Sequence, residues 1–323
     1  MLSKSNTIEV TPYDSNWPKM FEAEASLIKK SIGDNCIEIH HIGSTSVPGL
    51  DAKPIIDMIL VAKDPNLSIA NLESIGYTYK GEMNIPFRFY FTKEDEIQVH
   101  LHMYQENNAE IDLNLIFRNF LRSNSAACKE YASLKQTLVE EQKNHEVVPM
   151  FSHYTLGKNS FITKVLTDAG FDKLRLMHCT HYAEWEAARD FRQLYFFDKV
   201  PVSDPYTWTF NHHNHMHFVL YKGTRIIGYT HLQRYGENDI ILRILVIEER
   251  SRGCKLGSHL LELCQKWLKK NGFKTIYADS NSAALPFYRK HGYQNMSFDA
   301  PKELEGQVAS VLDSGDIQIG MLL

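Results

Sequence analysis

Basic and small residues are concentrated in the run RSRGCKLGSHLL, residues 250–261, between a predicted strand and a predicted amphipathic helix. Glycine lets the backbone approach a ligand closely, and the helix that follows offers unpaired N–H groups and the positive end of its dipole. Arg252 and Lys255 add positive charge, so the run can cradle an anion such as a pyrophosphate. Taken alone, it is equally compatible with a surface turn that carries solvated basic side chains.

A second block follows at residues 281–293, where NSAALPFYRKHGY predicts a helix that ends at His291-Gly292. In this order and spacing, the two blocks resemble the GNAT family of acetyl-CoA-dependent N-acetyltransferases, whose loop pattern is Arg/Gln-x-x-Gly-x-Gly/Ala. Arg252, Leu256 and Gly257 fit that pattern, while Lys255 stands where the family usually has its middle glycine. The resemblance covers roughly residues 171–323.

This resemblance implies acetyl-CoA as the cofactor and suggests a role for each matching position. The loop residues would bind the pyrophosphate: Arg252, Gly253, Cys254, Lys255, Leu256, Gly257 and Ser258. Leu245 and Val246 belong to a strand that would lend backbone groups to the pantetheine arm, and Asn281 would contact the cofactor. Tyr288 would lie near the sulfur, where it can protonate the departing thiolate as a general acid.

The motifs do not fix the proton acceptor for the amine, because a base can act directly or through water. The candidates are His231, Glu237, Asp279 and the histidine-rich run at residues 211–217. If that run is extended, His213, His215 and His217 share one face, and three histidines on one face can bind zinc. Zinc sites usually draw on separate segments with secured outer partners, so we expect a polar rim of the acceptor pocket instead.

The first half carries a different motif. Residues 40–57 contain the turn GSTSVPGL ahead of an apolar strand at 55–61. This segment resembles the GrpB family, which has a nucleotidyltransferase-like fold. Three shorter runs extend the match over about residues 8–166: VHLH (99–102), FRNFLR (117–122) and YTLGK (154–158).

In nucleotidyltransferases, a Gly-Ser turn holds a triphosphate and two acids, spaced Asp-x-Asp/Glu on the next strand, bind Mg²⁺. Here Ile59 replaces the second acid after Asp57, and Asp112 is a remote third acid, which makes a poor two-metal site. Asp57 is as readily explained as a strand acid paired with Lys53, Arg88 or a histidine. The candidate ligand contacts are Gly43, Ser44, Thr45, Lys53, Asp57, Arg88, His100, His102 and Lys158.

The pattern of elements predicts two α/β domains, at residues 1–170 and 171–323. The first is expected to have a nucleotidyltransferase-like mixed sheet with helices, and the second a GNAT fold with a central mixed sheet flanked by helices. Expected elements of the first domain are helices at 17–32, within 111–143 and at 160–166, and strands at 36–42, 55–61, 88–92 and 97–104. Those of the second are helices at 181–195, 258–271 and 282–290, and strands at 173–178, 216–222, 225–233, 239–247, 274–278 and 316–322.

The composition of the 323 residues, 43% hydrophobic and 23% charged, excludes disorder as the main state. A net charge of -4 gives no sign of nucleic acid or an anionic membrane as the main partner. Five scattered cysteines without a C-x-x-C pair argue against a disulfide framework and a cysteine zinc site. With no signal-peptide pattern or membrane-spanning run, we expect a soluble cytoplasmic protein.

These patterns together predict transfer of an acetyl group from acetyl-CoA to a small-molecule or protein amine. The catalytic candidates are Tyr288, His231 and Asp279. The N-terminal domain is expected to recognise a nucleotide or phosphorylated ligand, with Mg²⁺ as a further candidate ligand. The rival hypothesis is a nucleotidyltransferase or nucleotide-binding regulatory protein whose GNAT domain senses acyl-CoA.

Overall fold

The computed structural model describes residues 9–95, 97–142, 152–198, 203–299 and 315–323. The chain divides into two compact units, Met1–Arg175 and Leu176–Leu323. Each unit is an α/β structure built on a mixed sheet, which confirms the predicted fold class. In the described part of the chain, no helix is long and apolar enough to cross a bilayer.

Within the described residues, the first unit has a five-stranded sheet in the order β1-β2-β5-β4-β3. Its strands are β1 (Cys36–Ile42), β2 (Ile55–Ala62), β3 (Thr78–Tyr79), β4 (Phe89–Glu94) and β5 (Gln98–Gln105). Its helices are α1 (Trp17–Ile32), α2 (Ile69–Ser74), α3 (Ala109–Ser123), α4 (Ser125–Gln142), α5 (His153–Leu156) and α6 (Asn159–Asp168). The parallel pair β2–β5 lies at the centre, and the other neighbouring pairs are antiparallel.

Side chains along β5 point alternately to the core of this unit and to its candidate site. Val99, Leu101 and Met103 are buried in the cluster that also holds the apolar face of α1. His100 and His102 alternate with them and therefore lie on the opposite face of the sheet. Helices α3, α4 and α6 form a second apolar cluster that includes Val47 and Leu50, and this packing holds the turn after β1 in place.

The second unit has a seven-stranded sheet, counted over the described residues, in the order β11-β12-β10-β9-β8-β7-β6. Its strands are β6 (Leu174–His178), β7 (His215–Lys222), β8 (Arg225–Tyr235), β9 (Asp239–Ile247), β10 (Thr275–Ser280), β11 (Gln294–Asn295) and β12 (Ile317–Leu322). Its helices are α7 (Tyr182–Arg192), α8 (Leu256–Lys270) and α9 (Leu285–Lys290). The helix predicted at 181–195 ends as an α-helix at Arg192 and continues as a π-helix, Gln193–Phe197.

Strands β9 and β10 run parallel but pair at only three positions, which end at Tyr277 and Ile241. Beyond that point the two strands separate, and β10 continues alongside β12. On its other edge, β9 pairs with β8 through a register shift in which His231 faces Ile244 and Leu232 faces Leu242. Arg243 is therefore the extra residue of a β-bulge beside the opening between the strands.

Candidate active site and a second, lysine-lined site

The loop before α8 has the backbone form that an anion-binding loop requires. Gly253 and Lys255 have φ of +80° and +60°, so both lie in the left-handed region. Lys255 thus adopts a conformation that favours glycine, at a cost of roughly 1–2 kcal/mol for a residue with a side chain. Helix α8 begins at the next residue, Leu256, and its first N–H groups have no partner within the helix.

Arg252 is held against this loop by two contacts. Its Nε donates to the carbonyl of Ile247 at 3.0 Å, and its guanidinium lies 4.9 Å from the centre of the Tyr195 ring. Ser258 Oγ lies 2.9 Å from Nε2 of His291, which ties the start of α8 to the end of α9.

The remaining loop positions are more open. Cys254 is exposed. A Cβ at Gly257 would reach only ordinary contact with Phe287, at 3.7 Å, so packing does not require glycine there.

The predicted cofactor contacts on β9 and after β10 lie around the strand opening. Leu245 and Val246 follow the last pair between β9 and β10, so the edge of β9 toward β10 has no paired strand at these residues in the described part of the chain. Asn281 is the first residue after β10, and its Oδ1 accepts from the backbone N–H of Ala284 at 2.8 Å. That hydrogen bond stabilises the turn that leads into α9.

Tyr288 lies on α9 and is half-buried. Its ring packs edge-on against Tyr293, with the ring centres 5.2 Å apart. Burial, with a smaller effect from Cys264, raises the pKa of Tyr288 to about 12. The hydroxyl therefore keeps its proton at neutral pH, as a general acid must.

Two of the candidate proton acceptors, His231 and Asp279, have different surroundings. His231 is 3% exposed, its Nδ1 lies 3.3 Å from Nη1 of Arg192, and its Nε2 lies 2.8 Å from Nδ1 of His215. Both ring nitrogens are engaged, and burial holds the pKa of His231 well below its usual value. Asp279 is partly exposed on β10, and its Oδ2 lies 3.6 Å from Nη1 of Arg243.

The histidine-rich run does not form a three-histidine face. Strand β7 begins at His215, and His213 precedes it, stacked on His212. His217 Nδ1 lies 2.7 Å from the hydroxyl of Tyr229. Among the described residues, no group of three or more His, Cys, Asp or Glu side chains could hold a metal ion.

The candidate site of the first unit centres on Asp57. A Cβ added to Gly43, which has φ of +67°, would lie 2.9 Å from both Cβ and Cγ of Asp57 and closer still to Oδ2. Only glycine therefore fits between the turn and this carboxylate. Asp57 Oδ1 lies 3.4 Å from Nδ1 of His100, its partner across the β2–β5 pair.

Three lysines lie around this carboxylate or the turn beside it. The ammonium groups of Lys53 and Lys158 each lie 4.6 Å from the centre of the Tyr154 ring. Burial, followed by repulsion from Lys53, lowers the pKa of Lys158 to about 8, whereas Asp57 opposes the shift. Lys135 is 1% exposed, and its Nζ donates to Ser44 Oγ at 3.1 Å and to the carbonyl of Asp51. Burial and repulsion from Lys158 lower the pKa of Lys135 to about 8 as well.

Three other predicted contacts have protein partners. The Thr45 hydroxyl donates to the carbonyl of Ile55 at 2.9 Å and lies 3.0 Å from Nε2 of His41. Arg88 is buried, donates to the carbonyl of Glu82, and lies 3.4 Å from Nδ1 of His102. These contacts give Thr45, Arg88 and His102 structural partners, whereas the ammonium groups of Lys53 and Lys158 lie beside the Tyr154 ring.

A family model described as GrpB protein matches residues 7–168, which is half of the chain. The chain belongs to the GrpB family. A second model, the acetyltransferase (GNAT) family, matches residues 181–293. The protein is thus a GrpB domain followed by a GNAT acetyltransferase domain.

Two curated relatives and one solved structure are each similar to about half of this chain. A UPF0157 protein of Halalkalibacterium halodurans is 34% identical over 166 residues, 50% of this chain and 83% of that protein. The UPF0157 protein YqkA of Bacillus subtilis is 36% identical over 159 residues, 48% of this chain, and the chain spans only 45% of its length. A crystal structure of conserved protein GrpB from Enterococcus faecalis is 37% identical, covers 50% of this chain and 96% of its own, and has a TM-score of 0.45.

Sequence reasoning missed three cationic residues of these sites. Lys135 of the GrpB domain lies in a helix with no motif around it, and its burial beside Ser44 depends on how α4 packs. Arg192 ends α7 and pairs with Asp204, which no local pattern predicts. Arg243 lies within an apolar strand, and the only sign of a special role in the sequence was a charged residue among apolar neighbours.

Proposed function

We propose that the GNAT domain is an acetyl-CoA-dependent N-acetyltransferase that transfers the acetyl group directly to an amine of a small molecule or a protein. The observation that carries this proposal is the opening between β9 and β10 beside the left-handed loop of Gly253 and Lys255. An extended pantetheine arm can pair with the open edge of β9, since that edge has lost its neighbouring strand. The loop and the first turn of α8 then supply N–H groups and positive charge to the pyrophosphate.

The chemistry proposed for the site needs one acid and one base. A neutral amine attacks the thioester carbonyl, a C–N bond forms, and the C–S bond breaks. Tyr288 protonates the departing thiolate and regains a proton from solvent, which its high pKa permits. Asp279 accepts the proton that the nitrogen loses, because its carboxylate is partly exposed on β10 beside the opening, whereas His231 is enclosed.

Calorimetric titration of the full-length protein with acetyl-CoA tests the cofactor site. We expect saturable binding that Arg252→Ala weakens about 10- to 100-fold, the range for loss of a charged hydrogen bond. Arg250→Ala is the matched control, because Arg250 is 70% exposed and pairs with Glu248. Equal affinities of the two variants for acetyl-CoA would show that Arg252 does not bind the pyrophosphate. If the wild-type protein does not bind acetyl-CoA, the cofactor assignment is wrong.

A second activity is favoured by the three lysines of the GrpB domain. We infer that Lys53, Lys135 and Lys158 bind a phosphorylated ligand such as a nucleotide. Burial and repulsion between lysines lower the pKa of Lys135 and of Lys158 to about 8, and burial also lowers the pKa of Lys53. An anion that enters between these lysines stabilises their charged forms.

The residues present do not fit Mg²⁺ chemistry in the GrpB domain. Asp57 has lysines and His100 as neighbours, Ile59 replaces the second acid, and Asp112 pairs with Lys173. We therefore propose binding there and not nucleotidyl transfer. Titration with ATP in the presence of EDTA should show binding that Lys158→Gln weakens, and a strict requirement for Mg²⁺ would contradict this assignment.

A further inference from the structure

Arg192, at the end of α7, begins two hydrogen-bonded chains on one face of the GNAT sheet. A guanidinium can only donate hydrogen bonds. Its Nη1 lies 3.5 Å from the hydroxyl of Tyr229 and 3.3 Å from Nδ1 of His231, so both atoms act as acceptors. Asp204 accepts from Nη2 at 3.0 Å and holds the guanidinium in this position.

The first chain is complete. Because the Tyr229 oxygen accepts from Arg192, its O–H donates to Nδ1 of His217 at 2.7 Å. His217 then carries its proton on Nε2 and donates to the carbonyl of Thr209 at 3.1 Å. A carbonyl can only accept, so every polar atom of this chain is satisfied.

The second chain has an open end. His231 accepts on Nδ1, so its neutral ring carries the proton on Nε2 and donates to Nδ1 of His215 at 2.8 Å. His215 therefore carries its own proton on Nε2, since burial lowers its pKa to about 4 and keeps the ring neutral at pH 7. His215 is 7% exposed, and this Nε2 has no hydrogen-bond partner among the described residues.

A second buried donor lies near the first. Gln233 is paired across the strands with His215, and its Oε1 accepts from Nε of Arg243 at 2.7 Å. Nη2 of Arg243 is also buried without a partner in the described part of the chain. Asp279 lies on the other side of Arg243, so His215, Gln233, Arg243 and Asp279 follow one line across four neighbouring strands.

We propose that His215 Nε2 and Arg243 Nη2 bind a carboxylate of the acceptor, which is therefore an amino acid or a similar amine that also carries an acid group. Both groups can only donate in this arrangement, and one of them is cationic, so their complement is an anionic group with at least two acceptor oxygens. Asp279, next in the line, is placed to meet the amine of the same molecule. This inference rests on the proposed acetyltransferase function and specifies its substrate class.

Paired ligands test the proposal without any variant. We would titrate the full-length protein, saturated with CoA, with each of the common amino acids and with the matching α-carboxamides. At least one acid should bind about tenfold or more tightly than its amide, because the amide lacks the charge that Arg243 requires. If no acid binds better than its amide, the proposal is wrong. If O-phosphoethanolamine binds better than every acid, the anionic group that the site recognises is a phosphate and not a carboxylate, which also contradicts the proposal.

Two variants separate a ligand contact from a structural role. His215→Leu should lower the affinity for the preferred acid about 10- to 100-fold and leave the affinity for its amide nearly unchanged. His215→Gln places an N–H near the position of Nε2 and should restore part of that loss. If both variants lose the same affinity for the acid as for the amide, His215 does not contact the carboxylate.

Acetyl-CoA affinity, measured on the same samples, distinguishes the two proposals. Normal acetyl-CoA binding without an acid preference refutes the carboxylate site alone. If the wild-type protein does not bind acetyl-CoA, the acetyltransferase function itself is refuted.

Discussion

Replacing Gly43 by alanine tests the close contact between the turn and Asp57 in the GrpB domain. The new Cβ would lie 2.9 Å from Cβ and Cγ of Asp57, about 0.5 Å inside the 3.4 Å lower limit of ordinary contact. Gly43 also has φ of +67° with extended ψ, a region that costs roughly 1–3 kcal/mol for other residues. Moving Asp57 off its rotamer adds about 0.5–1.5 kcal/mol. We therefore expect Gly43→Ala to lower the free energy of unfolding of this domain by about 2–4 kcal/mol.

Gly49→Ala is the matched control in the same turn. Gly49 has φ of +77°, but a Cβ there would meet no atom of the described residues within 4 Å, so only the backbone cost of about 1–2 kcal/mol applies. Native-state hydrogen exchange of the β2 amides in the full-length protein reports on the GrpB domain separately. Equal destabilisation by the two substitutions would refute the role we give to the Asp57 contact.

Three further predictions concern charge and catalysis. Tyr288→Phe should lower kcat for acetyl transfer about 10²- to 10⁴-fold with an unchanged Kd for acetyl-CoA, and a normal kcat would exclude Tyr288 as the acid. Because the folded-state pKa of Lys158 is lowered to about 8, its charge is present at pH 7 and mostly lost at pH 9. Lys158 should then contribute a roughly tenfold fall in ATP affinity over that range in calorimetry, and Lys158→Gln should remove this part of the pH dependence and leave the part that comes from Lys135, whose pKa is also about 8. Arg192→Met leaves Asp204 buried without its partner, so we expect about 3–5 kcal/mol of destabilisation in urea unfolding, and a change under 1 kcal/mol would contradict the chain we assign to Arg192.

The elements with strong local patterns were predicted from the sequence. Helix α1 and strand β1 begin and end where their apolar spacing and the glycine at 33 indicated. The two domains were likewise identified from short motifs, because the residues of each motif are contiguous. The boundary of the helix predicted at 181–195 was wrong because the backbone changes there from an α-helix to a π-helix after Arg192. The two-residue strand β11 was not predicted, because it is too short to show a periodic pattern.

Only the contiguous parts of the candidate site have a signal in the sequence. The loop at residues 252–258 is predicted to bind the cofactor because glycine and charge lie next to one another in the chain. The partners of His231 are distant in sequence, since Arg192 lies on a helix and His215 on the neighbouring strand. Tertiary packing alone decides such contacts, and it also shows that His231 is enclosed, which a sequence pattern does not reveal.

The most direct test of the proposed function is amine-dependent release of the CoA thiol from acetyl-CoA by the full-length protein, with Tyr288→Phe in parallel. We predict saturable thiol release that depends on both the amine and the protein, greatly reduced in the variant. If acetyl-CoA binds but no amine, with or without a carboxylate, releases the thiol, then the domain binds the cofactor without transferring its acetyl group, and the enzymatic proposal is wrong.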